Sequence, residues 1–458
     1  MYIRRIEINN IRSIEHFEMT FPEGKEAGWH VLIGDNGSGK STIVRAVALG
    51  LLDYKDIIAI GANGQNWDDW LSVKTPVGGT GSISVEVSHQ DHIKSPTLNR
   101  IYFDRQYYGN QARADLLEVL FRGRRSFSRQ VPLLPGTLSI TIPATITNYP
   151  PPTPTPAPPP SSEDWFSTAY GPFRRFTGGN TDKERLYQSN PKLGAHLSVF
   201  GEDVALSEAL SFLMSLYIKQ IDDRFNHRPE DKTFEHFTDF INSSDLLPNE
   251  THIESVSVRD GIFFKDSQGN KVTINQMSDG YRSILSMTFE LIRQLIQSFG
   301  THKVFEYTDC ANPVIGLPGV VLIDEVDSHL HPTWQDAIGE WFTTYFPNIQ
   351  FIVTTHSPLI CRAAEKGSIW RLATPGSGEQ SEEVIGTDRD RLIYGNILDA
   401  YGTGTFGEEI ERSDESHKKL ARLTRLNQLN RYVKISDEEK KERAELSKIF
   451  NTDDSLAE

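Results

Sequence analysis

Gly34-Asp-Asn-Gly-Ser-Gly-Lys-Ser41 is a glycine loop with the spacing G-x-x-x-x-G-K-S, and its flanks decide how it is read. Before it, Trp29-His-Val-Leu-Ile33 has the continuous apolar pattern of a buried strand; after it, Ile43, Val44, Val47, Ala48, Leu51 and Leu52 recur at helical spacing. Strand, glycine loop and helix form the arrangement in which successive backbone N–H groups turn inward on a triphosphate. Lys40 then reaches the β/γ oxygens, Ser41 is placed to hold Mg²⁺, and the positive end of the helix dipole adds to the same anion site.

Working outward, two further apolar runs end in chemistry. Val320-Val-Leu-Ile323 leads into Asp324-Glu325, and Ile349-Gln-Phe-Ile-Val353 leads into Thr354-Thr-His-Ser-Pro358. Adjacent carboxylates at the end of a buried strand suit metal holding through water by Asp324 and polarisation of an attacking water by Glu325. His356, after its own buried strand, is expected at the γ-phosphate edge. Between these and the loop, Met277-Ser-Asp-Gly280 leads into a helix from about Tyr281 to Phe299 with Ile284, Leu285, Phe289, Leu291, Ile292 and Leu295 as its apolar positions. Buried strands alternating with helices require a mostly parallel sheet covered on both faces, so the fold class is α/β.

The remaining segments are read more coarsely. Ile3, Ile6 and Ile8, then Phe17, Met19 and Phe21, suggest two antiparallel strands joined near Asn10-Ile-Arg-Ser13, an antiparallel N-terminal edge over the nucleotide site. Gly81 to Val87 alternates as a strand, Ala112 to Phe121 is expected to be a helix, and Leu206 to Ile221 starts a helical lobe. Pro150 to Pro160 is proline-rich and excluded from sheet or helix. In the tail Leu420, Leu423, Leu426 and Leu429 recur every three residues, as a ridge the chain does not itself bury, and Ser436 with Glu439 fits a capping box. The expected domains are 1–140 (loop-bearing lobe), 141–164 (proline-rich insertion), 165–275 (helical lobe), 276–400 (second nucleotide lobe) and 401–458 (charged, partner-binding helical tail).

Composition sets bounds on function. The chain has 458 residues, 38% hydrophobic and 24% charged, with a formal net charge of −15, which argues against nonspecific nucleic-acid binding over its whole surface. One basic cluster, Arg122, Arg124, Arg125 and Arg129 with Phe121 and Phe127, could track a phosphate backbone or simply be solvated. No apolar run approaches the roughly 18 residues of a membrane span and no signal peptide is present, so no membrane partner and a cytoplasmic location are expected. Cys310 and Cys361 suggest neither a metal site nor a disulfide framework.

Gly34–Ser41, Met277-Ser-Asp-Gly-Tyr281, Leu322-Ile-Asp-Glu325 and His356 together resemble the Walker A, signature, Walker B and H-loop motifs of ABC-type ATPases. Asn10-Ile-Arg-Ser13 is similar to the corresponding turn of the SMC, RecF and OLD branch, and Asp324-Glu-Val-Asp-Ser-His-Leu-His-Pro332 to its OLD-like and defence members. Tyr170-Gly-Pro-Phe-Arg-Arg175, the size and the charged tail resemble the ATPase subunits of Septu and retron-associated antiphage systems. The resemblance implies an ABC-type ATPase head using ATP and Mg²⁺. Its nucleotide contacts would come from Arg12, Ser13, Asn36, Gly37, Ser38, Gly39, Lys40, Ser41 and Thr42, and from Ser278 and Gly280 of a second copy. Ser41 and Asp324 would hold the metal; Glu325, His356 and Lys40 would carry catalysis.

The implied partners are a homodimer or higher homo-oligomer, a separate PtuB-like HNH nuclease subunit, and DNA as a candidate component of the complex. The signature departs from Leu-Ser-Gly-Gly-Gln but keeps Ser278 and Gly280. Gln90, Gln106 and the Tyr170–Gly171 turn compete for the Q-loop, and no heptad arm is present. A DNA repair or recombination clamp that grips DNA when ATP-bound is the alternative, and a non-hydrolysing scaffold a third reading against which Glu325 speaks. Asp388-Arg-Asp390 lacks a leading apolar strand, so nuclease activity is not expected of this chain, and its docking surface is sought in the tail and around Arg174 and Arg175.

Overall fold

The computed structural model describes residues 1–62, 67–75, 79–88, 97–104, 113–116, 166–174, 190–201, 208–247, 251–259, 261–306, 308–309, 312–395, 414–432 and 436–449. The proline-rich insertion, the Arg122–Arg129 cluster, Gln90 and Gln106 lie outside them. The chain divides into two units, Met1–Ala400 and Tyr401–Glu458.

In the first unit β1 (Tyr2–Ile11) and β2 (Ile14–Thr20) pair antiparallel as expected. Ile3 and Ile6 are three apart yet both buried, because β1 slips register between Ile3 and Arg5 against β4, a bulge that resets the alternation. β3 (Gly28–Ile33) is buried along its whole length and leads into α1 (Lys40–Leu51). After α2 (Tyr54–Ala62), β4 (Thr80–Ser88), β5 (Thr97–Asp104) and β6 (Arg113–Leu116) complete a five-stranded antiparallel sheet in the order β2-β1-β4-β5-β6. β6 corrects the helix expected from Ala112 to Phe121: Arg113 and Leu116 pair with Asp104 and Tyr102 of β5, whose free edge outweighs local helical preference.

β7 (Ser167–Tyr170) belongs to a second sheet and not to the helical lobe expected from residue 165. That lobe contains α3 (Glu208–Phe225), α4 (Thr233–Ser243) and a three-stranded antiparallel sheet of β8 (His252–Ser257), β9 (Gly261–Lys265) and β10 (Lys271–Thr273). α5 (Asp279–Phe299) follows, and all six of its expected apolar positions are buried. β11 (Gly319–Ile323), α6 (Pro332–Tyr345), β12 (Ile349–Thr355), β13 (Gly367–Arg371) and β14 (Glu382–Glu383) then complete the second sheet. Its order is β14-β13-β3-β12-β11-β7, every pair parallel except β14 with β13. The short α7 (Gly386–Tyr394) ends the unit's described part.

α1 is apolar nearly all round because it is enclosed: the antiparallel sheet covers one side and the parallel sheet the other. A Cβ on Gly50 would lie 2.3 Å from Val85, so only glycine lets this helix approach so closely. Gln350, fully buried, accepts from the Ile3 amide (2.7 Å) and donates to the Ile3 carbonyl (3.1 Å), joining the two sheets. The other face of the parallel sheet is packed by aromatics, with Trp29 stacked on Phe342 of α6 and Phe351 wedged beside both. The result is an α/β head with a mostly parallel sheet on one side of α1 and an antiparallel sheet on the other. No helix among the described residues is long and apolar enough to cross a membrane.

The second unit contains α8 (Asp414–Tyr432) and α9 (Asp437–Ile449). The capping box forms: Glu439 N donates to Ser436 Oγ at 3.2 Å, and Ser436 N to Glu439 Oε2 at 2.9 Å. The leucine ridge differs from expectation. Leu423 and Leu426 are buried against Leu446, so the hairpin itself uses most of the ridge; Arg422 clamps Glu442 through bonds of 3.1 and 2.8 Å.

Candidate nucleotide site

Strand register brings the motifs to one edge. Ile33 pairs with Thr355, Val353 with Ile323, and Ile323 with Tyr170, so the residues that follow β3, β12, β11 and β7 emerge side by side. Ligands of open parallel sheets bind outside these carboxyl ends.

The glycine loop is shaped by backbone no other residue adopts easily. Gly37 (φ +83°) and Gly39 (φ +98°) are left-handed, and a Cβ on Gly39 would meet Ile14 at 2.9 Å. Gly39 also caps α1 without a side-chain bond, and no acidic residue occupies the first turn, leaving the helix's first N–H groups for an anion. Asn36 and Gly37 are exposed at the tip, Ser41 is half-buried, and Thr42 is buried in the first turn. Ser38 Oγ is buried with no hydrogen-bond partner. Lys40 is buried and donates to the Gly34 carbonyl (2.5 Å) and the Asp35 carbonyl (2.9 Å). Burial pushes its ammonium below the ordinary lysine value while Asp324, Glu325, Asp35 and Asp327 pull it back up, so the loop lysine lies in the field of the acidic turn.

That turn is tightly held. Asp324 is fully buried; its Oδ1 accepts from Thr354 Oγ1 at 2.6 Å, and its Oδ2 has no partner. Thr354 Oγ1 accepts from Glu325 N at 2.7 Å. Glu325 has φ +47°, a left-handed conformation that costs a non-glycine residue about 1 kcal/mol or more, and Ser328 Oγ donates to its Oε2 at 3.0 Å. Thr355 Oγ1 donates to Asp327 Oδ1 at 2.6 Å, which also receives the His356 amide at 3.4 Å. His356 itself is exposed at this edge. Thr354 and Thr355 act on the acids directly; the sequence reading passed over them as the approach to His356, although two hydroxyls after a buried strand were a usable signal.

Ser13 also comes to the loop, whereas its neighbour Arg12 is turned to Trp70. A Cβ on Gly39 would lie 3.3 Å from Ser13 Oγ, and Arg12 stands 4.8 Å over the Trp70 ring while its amide donates to the Trp70 carbonyl at 2.8 Å. Burial and the nearby Arg45 push the Arg12 guanidinium below its ordinary value. Ser278 is the N-cap of α5, exposed and without a side-chain cap bond, and a Cβ on Gly280 would meet the His329 carbonyl at 2.8 Å. The signature turn therefore lies directly against the acidic turn's continuation.

Of the three segments that compete for the Q-loop, the Tyr170–Gly171 turn ends β7 beside β11, and Gln90 and Gln106 lie outside the described residues. One sequence expectation changes here. Arg174, expected on a docking surface, is 5% exposed and points inward, donating to the carbonyls of Gly171, Asp324, Glu325 and Val326 at 2.8–3.3 Å. Its burial follows from β7 joining the sheet core. Arg175 lies outside the described residues.

Two family models match: an AAA domain described as putative AbiEii toxin, type IV TA system, over residues 174–362, and a further AAA domain over 5–123. The chain is 23% identical over 391 residues to the retron Vc95 probable ATPase of Vibrio cholerae serotype O1 biovar El Tor, covering 78% of this chain and 71% of that protein. It is 23% identical over 377 residues to the Septu protein PtuA of Bacillus mycoides, covering 80% of this chain and 40% of PtuA. The matches span less than half the length of three of the four curated relatives compared, from 18% to 46%. A solved SMC head bound to the C-winged helix domain of ScpA is 15% identical, with TM-score 0.43 over 84% of this chain and 97% of that one.

Proposed function

We propose that this chain, an ABC-type ATPase related to Septu PtuA and the retron ATPases, is the ATP-hydrolysing subunit of an antiphage defence complex in which nucleotide-driven, head-to-tail closure of two copies controls a separate HNH-type nuclease. The observation that carries the reading is the pairing of a glycine loop bearing a buried lysine with a fully buried aspartate whose Oδ2 has no partner. A buried carboxylate oxygen left unpaired costs roughly 1–3 kcal/mol or more, and a metal-bound water would satisfy it. The donor set of Ser41 hydroxyl and Asp324 carboxylate suits Mg²⁺, which when bound neutralises the phosphate charge that builds during transfer.

The chain's own residues supply the rest. Asn36 to Thr42 direct backbone N–H groups and the α1 dipole at the phosphates, and Lys40 exchanges its carbonyl partners for phosphate oxygens. Glu325, turned outward by its left-handed backbone, accepts the proton of the attacking water, and His356 lines the γ-phosphate edge. Ser278, exposed with a free hydroxyl at the start of α5, and Gly280 are suited to receive the γ-phosphate held by a second copy. Arg12 and Ser13 would meet the nucleotide from the β1–β2 turn.

Cutting is assigned to another chain. Asp388 and Asp390 are exposed on α7, with Asp388 paired to Arg391, which does not suit a metal-dependent nuclease pair. Because the tail hairpin buries Leu423 and Leu426, its charged outer faces are the docking surface it offers.

Ser278→Arg tests closure. The cation would enter the place of the incoming γ-phosphate, so ATP affinity is expected within about twofold of the parent while ATP-dependent dimer gain on a sizing column is lost. An unaffected dimer would place the interface elsewhere.

A further inference from the structure

Beyond its bonds to the Gly171 carbonyl and the acidic turn, Arg174 reaches a further element: its Nε donates to Ser283 Oγ at 3.1 Å. Ser283 is buried on α5, five residues after Ser278, on the helix whose N-terminus is the signature. One planar guanidinium thus spans three elements. Nη1 donates to Gly171 O (3.2 Å) and Asp324 O (2.8 Å), Nη2 to Glu325 O (2.9 Å) and Val326 O (3.3 Å), and Nε to α5. Only arginine offers donors in such a fixed fork; a lysine ammonium reaches few of these oxygens at once.

The placement is costly enough to need a reason. Burial pushes the guanidinium down to about 10, with Asp324, Asp327 and Glu325 opposing, so it stays charged at neutral pH while bonded to carbonyls. Three of the four carbonyls it holds belong to successive residues centred on Glu325, whose backbone is left-handed. α5 is no loose element, since it is buried through its middle, where Glu290 and Arg293 form a fully enclosed ion pair at 2.6 Å. Ser278 and Ser283 lie on this one continuous helix, so a displacement of its N-terminus would be carried to Ser283.

We infer that Arg174 is a positioning residue that sets the Glu325 turn according to the position of α5, so that a γ-phosphate docking on Ser278 adjusts hydrolysis in the same chain. This rests on the ATPase reading above and adds the regulation of its site.

The test uses the full-length chain as parent, Arg174→Lys, Ser283→Ala and the double variant. ATP affinity is read by titration with a fluorescent nucleotide, and turnover is measured across protein concentrations that span dimer formation. Affinity should stay within about twofold, because Arg174 touches none of the phosphate loop. Turnover should fall about 10- to 100-fold in Arg174→Lys, the scale of a small misplacement of a catalytic group. Ser283→Ala should keep the basal rate of dilute protein and lose the rise in specific activity at high concentration, and the double variant should be no slower than Arg174→Lys alone. Parent-like turnover in Arg174→Lys, or concentration-dependent activation surviving in Ser283→Ala, overturns the inference. Should Arg174→Lys fail to fold, Ser283→Ala, which removes a single hydroxyl, decides alone. A parent chain that neither binds nor hydrolyses ATP, with Lys40→Ala indistinguishable from it, overturns the ATPase reading itself, a different result from a working ATPase indifferent to Arg174.

Discussion

Glu325→Gln should bind ATP as tightly as the parent and hydrolyse it about 10²- to 10⁴-fold more slowly, the usual range for loss of a positioned general base. The substitution is nearly isosteric, and the amide oxygen can still accept from Ser328 Oγ, the partner of Glu325 Oε2 at 3.0 Å. The left-handed backbone at φ +47° is held by the Thr354 hydroxyl on the Glu325 amide and by Arg174 on the Glu325 carbonyl, not by the side chain, so the turn should be unchanged. What is lost is the capacity to take a proton. Phosphate release and nucleotide titration measured on one preparation separate the two effects. Parent-like release would move the base elsewhere, and Asp327, held beside the site by Thr355 and the His356 amide, is the next candidate.

Lys40→Ala acts one step earlier. The ammonium is buried at the root of the glycine loop, bonded to two loop carbonyls, and faces Asp324, Glu325 and Asp327. Without it the loop Gly34–Ser41 presents no cation to the phosphates, while the acidic turn stays in place. Removing one partner of a buried charge pair costs about 2–5 kcal/mol, which corresponds to affinity roughly 30- to 4,000-fold weaker. Unchanged affinity in direct titration would remove the phosphate site from Gly34–Ser41.

Much of this architecture was legible because it is local. The glycine loop, the strands into Asp324 and His356, and the helix after Ser278 each announce themselves within about ten residues by periodicity and turn chemistry. What escaped depends on distant partners. Residues 113–116 have the composition of a helix, and only the open edge of β5 makes them a strand. Arg174 sits in a sequence that looks like an exposed basic turn; its burial requires β7 to pair with β11, some 150 residues on. The leucine ridge of α8 looked unpartnered because Leu446 lies beyond the turn. Thr354 and Thr355 were visible, but their task becomes apparent only when β12 lies beside β11 in register.

The proposed function depends above all on ATP joining two copies of this chain through Gly34–Thr42 of one and Ser278–Gly280 of the other. The most direct test is the solution mass of the Glu325→Gln chain by light scattering, with and without ATP and Mg²⁺. For this 51.7-kDa chain, nucleotide should double the mass of the nucleotide-free form, and adding Ser278→Arg should abolish that doubling. A mass that is the same with and without ATP, in protein shown by titration to have bound it, would contradict nucleotide-driven closure.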